Sequence, residues 1–88
     1  MEQKTALITG ASRGIGAATA RRLARAGYAV AVNYCNSEDR ALALVKELQA
    51  EGHTAMAVRA DVSDPEQVRA MVDNVLDKFC QLDILVCN

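Results

Sequence analysis

The chain has 88 residues, 51% of them apolar and 24% charged, with a net charge of −1. This length suits one small domain, and the composition is globular rather than disordered. Interspersed charge and the lack of an apolar run of membrane-spanning length argue against nucleic acid and membrane as partners.

The chain runs almost at once into an apolar segment, so no signal peptide is expected and a cytoplasmic location is. Lys4 to Thr9, with Ala6-Leu7-Ile8 inside it, reads as a buried strand, too short for a helix. It leads into Thr9 to Gly16, T-G-A-S-R-G-I-G, and then into a helix expected over Gly14 to Ala26. A glycine-rich turn that leaves a strand and opens a helix is an anion site. Free N–H groups point outward there, and the helix dipole favours negative charge. Gly10 suits a tight turn, Gly14 the close approach of a pyrophosphate, and Gly16 tight packing of the helix on the strand. The spacing is neither the dinucleotide fingerprint G-x-G-x-x-G nor a P-loop. Gly16, Ala20, Leu23 and Ala24 share one face of this helix, and Gly27 is the residue that ends it.

Ala29 to Asn33 reads as the second strand. Asn36 or Ser37 then caps a helix ending near Glu51, with Ala41, Leu44, Val45 and Leu48 as its inner stripe. Gly52 stops it, and Thr54 to Arg59 is the third strand. Asp64 or Ser63 caps a third helix with Pro65 in its first turn, and Val68, Val72, Val75, Leu76 and Phe79 form its apolar face. Asp83 to Cys87 is a fourth strand. Cys35, Cys80 and Cys87 form no C-x-x-C, so reduced thiols are expected, with no metal site and no disulfide framework. His53 stands alone beside Gly52 and reads as a surface residue.

Strands alternate with helices, and the strands are almost wholly apolar, as parallel strands covered on both faces should be. The fold class is therefore α/β. It is the N-terminal part of a doubly wound Rossmann fold, with a parallel sheet in the order 3-2-1-4. Right-handed crossovers put the first two helices on one face and the third on the other. Residues 1–88 form the N-terminal portion of one dinucleotide-binding domain, expected to be truncated. With one helix on the second face, part of Ile8, Val30, Val32, Val58 and Leu85 is expected to lie open to solvent.

T-G-x-x-x-G-x-G resembles the cofactor loop of the short-chain dehydrogenase/reductase family. Two further stretches support the resemblance, in family order and spacing: Asp61-Val62 after the third strand, and Leu85-Val86-Cys87-Asn88 at the end. The latter is similar to the start of the family's L-V-N-N-A-G, with Asn88 at its second Asn and Cys87 departing from the first. The resemblance implies cofactor contacts at Gly10, Ser12, Arg13, Gly14, Ile15, Gly16, Tyr34, Cys35, Asn36, Asp61, Val62 and Asn88. In particular, it implies that Asp61 bonds the adenine amino group. None of Asn33, Tyr34 and Cys35 is acidic, so nothing there repels a 2′-phosphate, and Arg13 supplies positive charge to it. NADP(H) is therefore expected as the preferred dinucleotide, with NAD(H) as the alternative.

Within the family, the chain is most similar to reductases of 3-oxoacyl groups on acyl carrier protein. A small-molecule or acyl-carrier-bound carbonyl substrate is thus implied, as is a homo-oligomeric parent. Reductases of other ketones and aldehydes look alike here, including one acting on a modified side chain of elongation factor P. The family's catalytic Ser, Tyr and Lys are expected C-terminal to Asn88; neither Tyr28 nor Tyr34 has a Lys four residues on. A non-enzymatic dinucleotide-binding module and a methyltransferase form of the fold are the other readings.

Overall fold

The computed structural model describes residues 3–88. Seven elements alternate along the chain: β1 (Thr5–Ile8), α1 (Gly14–Arg25), β2 (Ala29–Tyr34), α2 (Glu38–Ala50), β3 (Ala55–Arg59), α3 (Pro65–Phe79) and β4 (Ile84–Val86). The strands form one parallel sheet in the order β3-β2-β1-β4, as the alternation of elements predicts.

β1 and β2 are buried along their whole length, because each has a strand on either side and a helix on at least one face. Asp83 anchors the entry to β4. Its carboxylate accepts from the Thr5 amide at 2.8 Å, and its own amide donates to the Thr5 carbonyl at 2.9 Å.

α1 and α2 pack on one face, where Ala20, Ala24, Leu44 and Leu48 meet Ala6, Ile8, Val30 and Val32. All four residues of the expected α2 stripe are buried. α3 covers the other face, with Met71 and Val75 against Leu7, Ala31, Val58 and Ala60. Burying an aliphatic side chain is worth about 1.5–3 kcal/mol, so these two layers carry the stability of the sheet.

Two expectations need correction here. Ile8, Val30, Val32 and Val58 are buried rather than open, and only Leu85 is exposed, at 53%. Ile8, Val30 and Val32 point toward α1 and α2, the doubly covered face, and Val58 lies beneath α3. Leu85 pairs in register with Leu7 on the α3 side but lies beyond the reach of that helix. The apolar face of α3 is also centred differently. Met71 and Val75 are its buried pair, while Leu76 is exposed.

The helix ends follow local chemistry. Asp64 caps α3, its Oδ1 accepting from the Glu66 amide at 3.0 Å, with Pro65 in the first turn. Ser37 occupies the cap position of α2, but its hydroxyl makes no capping bond. α3 ends at Cys80, the one described non-glycine residue with a positive φ, at 67°. Across the α1–α2 seam, Arg21 donates two hydrogen bonds to the Glu47 carboxylate, at 2.7 and 3.1 Å. That guanidinium holds the Glu47 carboxyl below the usual carboxylate range. Among the described residues, no helix is long and apolar enough to cross a membrane, and no cluster of His, Cys, Asp or Glu could hold a metal ion.

Candidate cofactor site

In a parallel sheet of this kind, the carboxyl ends of the strands meet where the strand order reverses, here between β1 and β4. The turn after β1 occupies that edge. Gly10 and Gly14 have φ values of 58° and 63°, which only glycine adopts without strain. A Cβ at Gly14 would meet nothing within 4 Å, so the backbone there faces open space. At Gly16 the reason for glycine is the opposite. A Cβ would lie 2.6 Å from the Gly10 carbonyl oxygen and 2.7 Å from Asn88 Nδ2. Sequence reasoning assigns Gly16 to helix–strand packing; the contact that excludes a side chain is with the turn itself.

No side chain caps α1, and its first turn carries no acid. The N–H groups of its first residues therefore remain free, at the positive end of the helix dipole. Arg13, in extended backbone directly before the helix, is exposed, as are Gly14 and Ile15, the latter at 79%. Ser12 is half-buried beside them.

Four bonds hold the turn to the end of β4, one of them from the Thr9 amide to the Val86 carbonyl at 3.0 Å. Thr9 Oγ1 accepts from the Asn88 amide at 2.9 Å and donates to the Val86 carbonyl at 3.3 Å. Asn88 Nδ2 donates to the Gly10 carbonyl at 3.1 Å. Asn88 is thus placed beside Gly10 and Gly16, the glycines that begin and end the loop. Cys87, next to it, is exposed.

On the other side the turn is held by Asn33, which the sequence groups with Tyr34 and Cys35 as a non-acidic position near the expected 2′-phosphate. It is buried at 2% exposure. Its Oδ1 accepts from the Gly10 amide at 3.1 Å and its backbone carbonyl from the Ala11 amide at 2.9 Å. Its Nδ2 faces the carbonyls of Tyr34, Val58 and Ala60 at 3.2–3.4 Å. In the sequence it is a polar residue near the end of an apolar strand, a pattern that does not by itself mark a clamp; its burial is what shows that the side chain must be bonded.

Tyr34 is also buried, at 8%, with its ring in the α1–α2 layer and its hydroxyl donating to Glu38 Oε2 at 3.0 Å. Burial, then the bond to Glu38, pushes its phenol above the ordinary tyrosine value. Cys35 is half-buried and Asn36 exposed, so they form the accessible part of this corner.

Beyond β3, Asp61 Oδ1 accepts from the Ser63 amide at 2.9 Å and from its hydroxyl at 2.6 Å, and those bonds hold its carboxyl below the usual range. The Asp61 amide donates to Gln67 Oε1, fixing the start of the β3–α3 loop. Val62 is exposed beside it. The described chain therefore brings the glycine turn, Asn88 and the end of β2 into direct contact, while Asp61 and Val62 follow Ala60, the residue Asn33 reaches.

Comparison with known proteins gives the same outline. The chain is 49% identical over 85 residues to the 3-oxoacyl-[acyl-carrier-protein] reductase FabG of Staphylococcus aureus, covering 97% of this chain and 35% of the relative. A dehydrogenase/reductase from Sinorhizobium meliloti 1021 superposes with a TM-score of 0.95 at 45% identity, over 100% of this chain and 35% of the other. A short chain dehydrogenase from Burkholderia cenocepacia J2315, solved in complex with NADP, gives 0.91 at 51% identity, over 96% and 34%. The chain thus spans about a third of the length of these relatives. The short chain dehydrogenase family profile matches residues 4–88, nearly the whole sequence, and on that match the chain belongs to this family.

Proposed function

We propose that this chain is the NADP(H)-binding part of a carbonyl reductase that converts a 3-oxoacyl thioester, or a related ketone, to the alcohol. The observation that carries the reading is the uncapped, acid-free start of α1 behind a glycine turn open at Gly14. Backbone N–H groups there suit a pyrophosphate, and the open space at Gly14 suits its close approach. Arg13, exposed beside the turn, suits a 2′-phosphate, and no carboxylate at positions 33–35 opposes one. Ser12, Ile15, Cys35, Asn36, Asp61, Val62 and Asn88 complete the set that would hold the dinucleotide, and Tyr34 backs the same corner from beneath.

The chemistry a nicotinamide dinucleotide supplies when bound is hydride transfer. The part of this chain is to bind and orient it. The groups that protonate the substrate oxygen are assigned to sequence following Asn88, within the same domain. The likeness to FabG of S. aureus supports the substrate class, and the NADP complex of the B. cenocepacia relative supports the phosphorylated cofactor.

The test is titration of the full-length protein with NADPH and NADH, before and after Arg13→Ala. A charge-assisted hydrogen bond is worth about 1.5–3 kcal/mol, so NADPH affinity is expected to fall roughly 10- to 150-fold. NADH affinity should change little. Equal affinities in the unmodified protein, or an equal loss for both cofactors in the variant, would overturn the NADP(H) assignment.

A further inference from the structure

We propose that Asn33 is a positioning residue for the dinucleotide. It sets the glycine turn at the height the pyrophosphate needs, and it governs affinity for that part of the ligand rather than for the adenosine. The proposal rests on the cofactor reading above and adds to it a residue that touches no ligand.

The orientation of the Asn33 amide follows from its surroundings. Its Oδ1 faces one donor, the Gly10 amide, and its Nδ2 faces three carbonyl oxygens. The flipped amide would set an oxygen against three oxygens and an NH2 against an N–H, so only one orientation satisfies the group. A carboxylate fails for the same reason, because it would bring negative charge into a buried site among carbonyls. Asn33 is therefore not the position at which an acid could select NAD(H), although it stands at the end of β2.

Its two acceptors take consecutive amides of the turn, Gly10 through Oδ1 and Ala11 through the backbone carbonyl. Those two N–H groups point inward and are satisfied by protein. The donors left for an anion are the later ones, at the start of α1. Asn33 thus divides the loop into a fixed half and a ligand-facing half. Gly10 is held on its other side by Asn88, so removing Asn33 Oδ1 frees one of the two clamps on a residue at φ 58°. The Nδ2 bonds to the carbonyls of Val58 and Ala60 tie the same side chain to β3, so the turn takes its height from the sheet.

The experiment uses full-length protein, unmodified and Asn33→Ala. Affinity is measured for NADPH and for adenosine 2′-monophosphate, which has the 2′-phosphate but no pyrophosphate. A loss of tenfold or more is expected for NADPH, with less than about threefold for the smaller ligand. Equal losses would show that Asn33 only supports the fold, and no loss would show that the turn does not depend on it; either overturns the proposal. Amide hydrogen exchange without ligand gives a second measure that needs no binding. In the unmodified protein, the Gly10 and Ala11 amides should exchange slowly and those of Gly14 and Ile15 fast. In the variant, Gly10 should lose protection while Ala11, bonded to main chain, keeps it. A Gly10 amide that exchanges as fast as Gly14 in the unmodified protein refutes the clamp, even if the variant does not fold. If the unmodified protein binds neither ligand while Gly10 is protected, the cofactor reading fails and the clamp alone stands.

Discussion

Two glycines only two residues apart, Gly14 and Gly16, are required for unlike reasons, and the difference can be measured. Gly14 is needed for its backbone angle, with open space where a Cβ would go; Gly16 is needed for lack of space, at an ordinary angle. Gly14→Ala is expected to cost about 1–2 kcal/mol, the strain of a left-handed L-residue, and its methyl, entering the space proposed for the pyrophosphate, should weaken NADPH binding as well. Gly16→Ala drives a methyl against a backbone oxygen that cannot yield without moving the turn. It should cost about 1–3 kcal/mol or more and also weaken NADPH binding. Denaturant unfolding and NADPH titration of both variants check this; equal stability losses with binding intact at Gly16 would refute it. The glycine turn was legible in the sequence because glycine spacing reports backbone demand directly. Asn33 was not legible. Its side chain reaches Gly10, Val58 and Ala60, 23 to 27 residues away, and nothing local distinguishes a buried clamp from a polar residue at a strand end.

Among the elements, α2 was the most legible. Its buried residues fall at i, i+3, i+4 and i+7, and a helix has only one way to bury that stripe. The strands hid their orientation. β1 and β2 are apolar at almost every position, so alternation carries no information on which side chain faces which helix layer. That is why Ile8, Val30 and Val32 were assigned to the thinly covered face. α2 also supplies a pH test through Tyr34, which joins β2 to its first turn by the bond to Glu38. Burial and Glu38 favour the neutral phenol, raising its folded value, while Arg59 opposes them more weakly. The associated stability is complete below the unfolded tyrosine value, about pH 10, and is lost as pH rises through the folded one. Stability should therefore fall above about pH 10. In Tyr34→Phe this alkaline decline should shrink, at a cost near neutral pH of about 0.5–1.5 kcal/mol for the lost hydrogen bond. Unfolding midpoints across pH 8–11 (roughly bracketing the tyrosine range) check it, and identical alkaline slopes would refute it.

At the scale of the molecule, coverage is unequal. α1 and α2 leave no large apolar side chain of β1 or β2 exposed, whereas the α3 layer stops short of Leu85. The 88-residue chain by itself is expected to bind an apolar dye at this end of the sheet. Leu85→Ser should reduce that binding while changing stability by no more than about 0.5 kcal/mol, as a surface substitution does. Absence of dye binding by the parent chain, or equal binding by the variant, would refute this. The strand order has a further consequence, in time rather than space. β1 comes first in the chain, but its second neighbour, β4, closes against it across 78 residues, through Thr5 and Asp83. Such distant pairing delays assembly, because the loop entropy must be lost before the contact is gained. The Thr9–Asn88 and Gly10–Asn88 bonds span 79 and 78 residues and belong to the same late event. During synthesis, the glycine turn leaves the ribosome early and can meet β2 and Asn33 at once. It takes its final shape only when Asn88 has emerged, so the site proposed for the dinucleotide is complete in a nascent chain no sooner than that.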